Sequence, residues 1–322
     1  MIFQNFFEAL IQYSFLQRAL FTSILVGIIC GLVGVFIVLK KLVFMGAGIA
    51  HASFAGGALG ILLSINPFFT IFFFGAGSAV SIGYINEKGY VEDNNVAVGI
   101  IFSLTMALGV LFVSLIPSYN VAVTALLFGN VLVVTTEDTI LLFIFSILII
   151  ALIYFMKKEL FFVTFDEEMA KATGLPVKFL SYMFLVLISL AIVISLKAIG
   201  ALLVFAMIIT PAAAAYQWSY KINNIIYLSV SFGAISAFIG LYLSYLLDLP
   251  SGSTITVTVS TIFAISMLLS PKRRGGKHVG FGHSDVCETC KRADEKGACK
   301  FCEHNNSNRN NSKRGKHDSS QH

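Results

Sequence analysis

The side chains able to do chemistry are few and fall into two groups. Within the first 270 residues one histidine stands alone, His51, in the run Met45-Gly-Ala-Gly-Ile-Ala-His51-Ala-Ser53. An imidazole can donate, accept or ligate a metal. It can equally be hydrogen-bonded packing, and the residues alone leave both readings open. Asn130 lies in a short apolar stretch, Val121 to Val134, with Glu137 and Asp138 at its exit. Such groups suit either the lining of a hydrophilic path or the capping of the next helix. The second group is C-terminal: Cys287-Glu-Thr-Cys290 and, after eight residues, Cys299-Lys-Phe-Cys302, flanked by His278, His283 and His304. Two CxxC pairs can bring four thiolates around one tetrahedral ion. Four thiolates leave no open position, so the zinc expected there is structural or sensory; the alternative is a reduced, metal-free tail. Cys30, alone in an apolar run, reads as core packing.

These groups sit in an unusual chain. Of 322 residues, 57% are hydrophobic and 12% charged, against roughly 45–50% and 25% in soluble domains. A soluble globular protein, a disordered one and a nucleic-acid-binding domain are excluded as main readings. Residues 1–270 hold ten Lys/Arg and eleven Asp/Glu, residues 271–322 twelve and six. The net charge of +5 therefore belongs to the tail, and no nucleic acid is expected as a partner. The first 270 residues have the composition of a membrane protein, and a span needs about 20 apolar residues.

Apolar runs between charges and turn residues predict nine spans, 18–39, 45–65, 67–86, 95–116, 137–156, 177–196, 198–219, 222–247 and 253–270. Val121–Val134 is too short to cross and is read as a re-entrant or partial helix. Met1 to Gln17 carries no Lys or Arg, so it is read as an interfacial amphipathic helix and not as a cleavable signal. Pro211 is expected to kink or break its helix. Small residues recur at spacings of three or four, as in Gly27, Gly31 and Gly34, or Gly233, Ala237 and Gly240, and predict close helix packing. The fold class is thus all-α, a polytopic transmembrane bundle. The domains are 1–271 in the membrane, 272–304 as a four-cysteine tail and 305–322 as a disordered polar tail.

Basic residues set the orientation. If Val121–Val134 returns to its own side, eleven Lys/Arg fall on one face and only Arg18 and Lys197 on the other. The C-terminus is then cytoplasmic and the chain lies in the cytoplasmic membrane. The long cytoplasmic loop Lys157–Val177 contains Asp166, Glu167 and Glu168, then Ala170, Lys171, Gly174 and Pro176. Acids, a basic last turn, glycine and proline in that order mark a short helix. It must lie on the membrane or dock into a partner, unless it is only a solvated connector.

The order of these segments resembles the permease subunit of ABC importers for zinc, manganese and related divalent metals. The matching stretches are Phe44-Met-Gly…Ala50-His51-Ala-Ser53; Leu127-Phe-Gly129-Asn130 with Thr136-Glu137-Asp138; Asp166…Ala170…Gly174; Ile199-Gly-Ala-Leu-Leu with Pro211-Ala-Ala; and Pro250-Ser-Gly252. The resemblance implies a homodimer with the vitamin B12-importer type of permease fold. It also implies an ATPase subunit docking on Asp166–Gly174 and an extracytoplasmic metal-binding protein delivering the ion. His51, Asn130 and Asp138 would line the pathway, and transport itself would need no cofactor. ATP hydrolysis would occur on the partner, since the chain has no GxxxxGK[ST] loop. Three positions depart from the family pattern: Ala47 and Asn130 stand where acids are common, and Ser103 where some zinc members carry a histidine. A permease of the same fold for a metal chelate, and a membrane-bound metal sensor working through the tail, are the alternatives.

Overall fold

The computed structural model describes residues 8–89, 94–116, 129, 131–165 and 167–270. Asn130, Asp166 and the four-cysteine tail lie outside the described residues. Every regular element among those described is helical: α1 (Ser14–Leu39), α2 (Val43–Leu62), α3 (Pro67–Glu87), α4 (Asn94–Ser114), a 3₁₀ turn (Val131–Val133), α5 (Thr136–Phe155), α6 (Lys157–Phe165), α7 (Glu167–Ala172), α8 (Val177–Ile199), α9 (Ala201–Tyr216), α10 (Ile222–Leu247) and α11 (Ser251–Leu269). Eight of them are long and apolar enough to cross a membrane, and α9 is a ninth apolar helix of 16 residues. At 1.5 Å per residue α9 is only about 24 Å long. These nine helices correspond in order to the nine predicted spans, and the chain is a multi-pass membrane protein.

The interior is built by α1, α2, α8 and α9, with Ile29, Phe36, Ile49, Phe184 and Met207 almost wholly buried. Phe73 on α3, Ile100 and Leu104 on α4, and Ile144 on α5 are exposed. An exposed apolar side chain loses nothing against lipid tails, so burial alone cannot hold such a bundle together; close packing must. The predicted small residues supply it. A Cβ on Gly27 would come within 2.6 Å of the Gly233 carbonyl oxygen, and one on Gly31 within 2.8 Å of the Ser229 carbonyl. Ser229 Oγ donates to the Gly31 carbonyl at 2.7 Å. On the same helix, Gly34 lies against the Ile208 carbonyl of α9.

The joints are short. Lys41 and Ser64 take left-handed conformations, with φ of 57° and 56°. After each, the helix ends with a 6→1 bond, Leu42 N–H to the Ile37 carbonyl and Ile65 N–H to the Gly60 carbonyl. This Schellman arrangement turns the chain back at once. Between α8 and α9 the joint is the single residue Gly200, at φ 86° and ψ 160°, a region that only glycine enters without strain. The sequence placed a boundary at Lys197; the structure carries α8 two residues further, to Ile199. The expected break at Pro211 does not occur: α9 runs through it to Tyr216.

The ends of the bundle sort the charges. Arg18, near the start of α1, donates to Thr136 Oγ1 at the start of α5 at 2.7 Å. Alternation from α1 to α4 brings Ser114 to that same end. The chain between α4 and α5 therefore leaves and returns at one end, as the charge bias requires. At the other end Lys178 pairs with Glu87 at 2.6 Å.

Replacing Gly233 with valine should force α1 and α10 apart, costing about 1–3 kcal/mol. A lower melting temperature in detergent would report it. Gly77→Ala, where the added methyl meets open space, should leave the melting temperature nearly unchanged.

Candidate functional site

His51 lies midway along α2. Phe44 is exposed on this helix, Ala47 and His51 are half-buried, and Met45, Gly46, Gly48, Ile49 and Ala50 are buried. Positions 44, 47 and 51 share one helical face, so the imidazole lies on the open side of α2. Its ring meets Phe102 of α4 edge to face, with centroids 4.9 Å apart. Nδ1 is buried and has no hydrogen-bond partner. A packing histidine would be expected to have satisfied that nitrogen, because an orphaned buried polar atom costs about 1–3 kcal/mol. Ser53, half a turn on, also has its Oγ buried without a partner, against α3 where Gly75 leaves room for it. One face of α2 thus holds an unspent ring nitrogen above Ala47, the position where a carboxylate would have completed an imidazole–acid pair. Ser103 is exposed and turns back to its own helix, donating to the Gly99 carbonyl at 2.8 Å. Among the described residues no three His, Cys, Asp or Glu side chains come together to hold a metal.

Asp138 belongs to a different structure, at the end of the bundle that carries Arg18. Thr135 caps α5, its hydroxyl accepting from the Asp138 backbone N–H at 3.2 Å. Thr135 Oγ1 in turn donates to Asp138 Oδ2 at 2.7 Å. Oδ1 of the same carboxylate pairs with Lys197 Nζ of α8 at 2.7 Å. That ammonium also lies 5.5 Å from the centre of the Phe68 ring on α3. Both oxygens are engaged, so Asp138 ties α5 to α8 and holds no oxygen in reserve. Beside it, Gly129, with φ of 77°, lies against the Ile199 carbonyl and Gly200. The Val131 N–H donates to Ser251 Oγ at 3.3 Å. Three of the sequence stretches singled out above, around Gly129, Ile199-Gly200 and Pro250-Ser251, therefore meet in one place.

The segment Lys157–Val177 holds two helices, where the sequence suggested one. The first, α6, is the stretch with Phe161 and Phe162 that the charged flanks disguised. The second, α7, ends in a Schellman motif: Leu175 N–H bonds the Ala170 carbonyl at 3.3 Å and Gly174 N–H the Lys171 carbonyl at 3.1 Å. Gly174, at φ 81°, makes that turn without strain. Ala170 is wholly buried among Val163, Val177 and Leu180 of its own chain, so it positions the segment. Among the described residues of the segment, Glu168 and Lys171 are exposed, with Ala172 and Thr173 beside them. Of Glu167, only its place at the start of α7 is described.

The Asp138–Lys197 pair was not legible as a pair, although an acid in the first turn of α5 and a lysine in the last turn of α8 were its signal. Asp138→Asn leaves the half-buried ammonium without its counter-charge and should destabilise by about 1–3 kcal/mol. The double variant Asp138→Asn, Lys197→Gln should regain part of that loss in melting temperature. A double variant whose loss equals the sum of the single losses would show the two residues to be uncoupled.

Residues 12–270 match the ABC 3 transport family. The manganese transport system membrane protein MntC of Listeria monocytogenes is 42% identical over 83% of this chain and 95% of its own length. The manganese import system permease protein ScaB of Streptococcus parasanguinis is 35% identical over 87% and 99%. Among solved structures, PsaBC from Streptococcus pneumoniae in complex with Fab superposes with a TM-score of 0.77 at 36% identity, covering 84% of this chain and 98% of that one. An inward-facing metal-chelate type ABC transporter shares the fold at a TM-score of 0.66 and 17% identity, over 81% and 88%. On the match across residues 12–270, the chain belongs to the ABC 3 transport family.

Proposed function

We propose that the chain is the permease subunit of an ABC importer for a divalent metal ion, manganese ahead of zinc or iron. The observation that carries this is the 42% identity, over 83% of the chain, to a manganese transport membrane protein. Two copies form the permease. One chain offers a single imidazole, His51, on an open face, and a two-fold axis beside α2 supplies a second. Asn130 is assigned to the pathway by its place in the sequence. Asp138 serves it indirectly, by holding α5 on α8. The end carrying Lys40, Lys41, Lys178 and Lys221 faces the cytoplasm, in keeping with the positive-inside rule. There the ATPase subunit docks on Asp166–Gly174, with Glu168 exposed towards it, and ATP is hydrolysed on that subunit. An extracytoplasmic metal-binding protein delivers the ion to the opposite end.

A metal chelate as cargo is favoured by one observation, Ala47 in place of an acid, since a hard ion such as manganese prefers oxygen ligands. The decisive measurement uses the permease and its ATPase in proteoliposomes, with manganese, zinc, iron and a ferric chelate compared. Manganese should stimulate ATP hydrolysis most. Stimulation by the chelate alone would move the cargo, and stimulation by nothing tested would favour a sensor. His51→Ala should lower uptake at least about tenfold, an energy of about 1.4 kcal/mol, with little change in melting temperature. The converse result would return His51 to a packing role.

The tail is proposed to bind one zinc through Cys287, Cys290, Cys299 and Cys302, in the reducing cytoplasm where disulfides are disfavoured. Cobalt titrated into the full chain should give tetrahedral thiolate absorption at one ion per chain. The bands should vanish in Cys287→Ser, Cys290→Ser and weaken as pH falls, because protons compete for thiolates.

A further inference from the structure

The face of α2 that carries His51 is open along part of its length only. Phe44 is 61% exposed, and Ala47 and His51 are half-buried. Three residues beyond His51 the face closes. Phe54 and Ala55 are wholly buried, and a Cβ on Gly109 of α4 would lie 3.3 Å from the Phe54 ring and 3.4 Å from the Ala55 Cα. So α4 seals α2 beyond the imidazole. The open strip runs the other way, from His51 to Phe44, towards the end of the bundle that carries Lys40 and Lys41. Its seven residues span about 10 Å.

The helix beside the strip is α4, which runs in the same direction. The His51 ring meets Phe102, and one turn nearer the Phe44 end a Cβ on Gly48 would lie 3.2 Å from the Val98 side chain. Next to these contacts on α4 stand Gly99 and Ser103, both exposed, and a Cβ on Gly99 would meet open space. The strip is therefore bordered by small residues, Ala47 on α2 and Gly99 and Ser103 on α4. At its end Phe44 is the one bulky side chain of α2 on that face. An ionisable side chain inside a membrane helix faces protein or a water-filled space, because lipid is a costly neighbour for it. Phe44 thus shares its face with a group that does not belong against lipid.

We propose that the strip from His51 to Phe44 is the cytoplasmic exit of the ion path, and that the Phe44 ring is its gate. An apolar constriction expels water and so stops a hydrated ion without any charged group; the path conducts when the ring moves aside. The inference rests on the reading of the chain as one half of a two-fold permease, in which the second copy covers the strip and brings its own Phe44 to the mouth.

The test uses the full chain with its ATPase subunit in inside-out membrane vesicles. Ala47→Cys places a thiol on the strip, and Ile100→Cys places one on the exposed side of α4 that is turned away from it. A charged, membrane-impermeant methanethiosulfonate is added from the cytoplasmic side. Mass spectrometry of the peptide carrying each new cysteine reads its modification apart from the native cysteines. The thiol at position 47 should react at least about tenfold faster with Phe44→Ala, the effect of a barrier lowered by about 1.4 kcal/mol, and more slowly than its parent with Phe44→Trp. The thiol at position 100 should respond to neither. If Phe44→Ala does not melt cooperatively, the slowing by Phe44→Trp carries the test. Equal acceleration at 47 and 100 would show a loosened bundle and overturn the gate. Manganese uptake by the unmodified complex is measured alongside. Uptake, with labelling at 47 that ignores the size of the ring, overturns the gate and leaves the importer reading standing. Labelling that follows the ring in a complex that moves no metal supports the gate and overturns the assignment of the cargo.

Discussion

Backbone-to-backbone contact is the constraint on which this bundle depends. In a bilayer no hydrophobic gain separates a side chain touching a neighbour from one touching lipid, so helices stay together through dense packing and a few hydrogen bonds. The α1 helix carries three of these close approaches. Gly27 and Gly31 lie on α10, and Gly34 on α9. With α1 fixed against both, its two ends are fixed as well: Arg18 reaches α5, and Lys40 lies over the Phe184 ring of α8. The site residues inherit their positions from this frame. His51 lies on α2, which follows α1 after a three-residue joint, Lys40 to Leu42, with Lys41 in the left-handed conformation.

The charges obey a second constraint. Ten basic and eleven acidic residues serve the first 270 positions, and those the structure pairs are gathered at the two ends. Asp138 with Lys197 joins α5 to α8 at one end; Glu87 with Lys178 and Tyr182 joins α3 to α8 at the other. Thus α8 is pinned by an ion pair at both ends, and Ser195, in its last third, accepts a contact from the Cys30 thiol at 3.7 Å. The helix α7 is tied to the start of the same helix through Ala170, packed with Val177 and Leu180.

Much of this was legible in the sequence because the bilayer leaves few alternatives. Nine apolar runs could only be helices, and the imbalance of lysines required the chain to leave α4 and enter α5 at one end of the bundle. The glycine spacings marked the faces that now touch. What stayed hidden depended on partners far apart in the chain. No local pattern shows that Asp138 meets Lys197, or that four lysines from three segments converge on one cavity. The first helix of the 157–177 loop, α6, was masked because its phenylalanines stand between charged flanks, and the helix through Pro211 runs on to Tyr216 where the sequence alone suggested a kink or break. His51 was found by type alone; that its Nδ1 is orphaned is a fact of packing.

A permease faces an affinity ceiling that a storage protein does not. Every 1.4 kcal/mol of binding slows release about tenfold when association is unchanged. A carboxylate at position 47, one turn from His51, would add a hard oxygen ligand and deepen the site. Alanine there leaves the imidazole as the one ionisable group on its face of α2. Such a site discriminates weakly by itself, since imidazole accepts several transition metals. On the proposed assignment of His51, selectivity is exercised before the ion reaches α2, and the membrane chain is left to let go quickly. The orphaned nitrogen fits that division of work: it is costly to leave unpartnered at rest, so a passing cation repays some of that cost, but a single ligand cannot hold it.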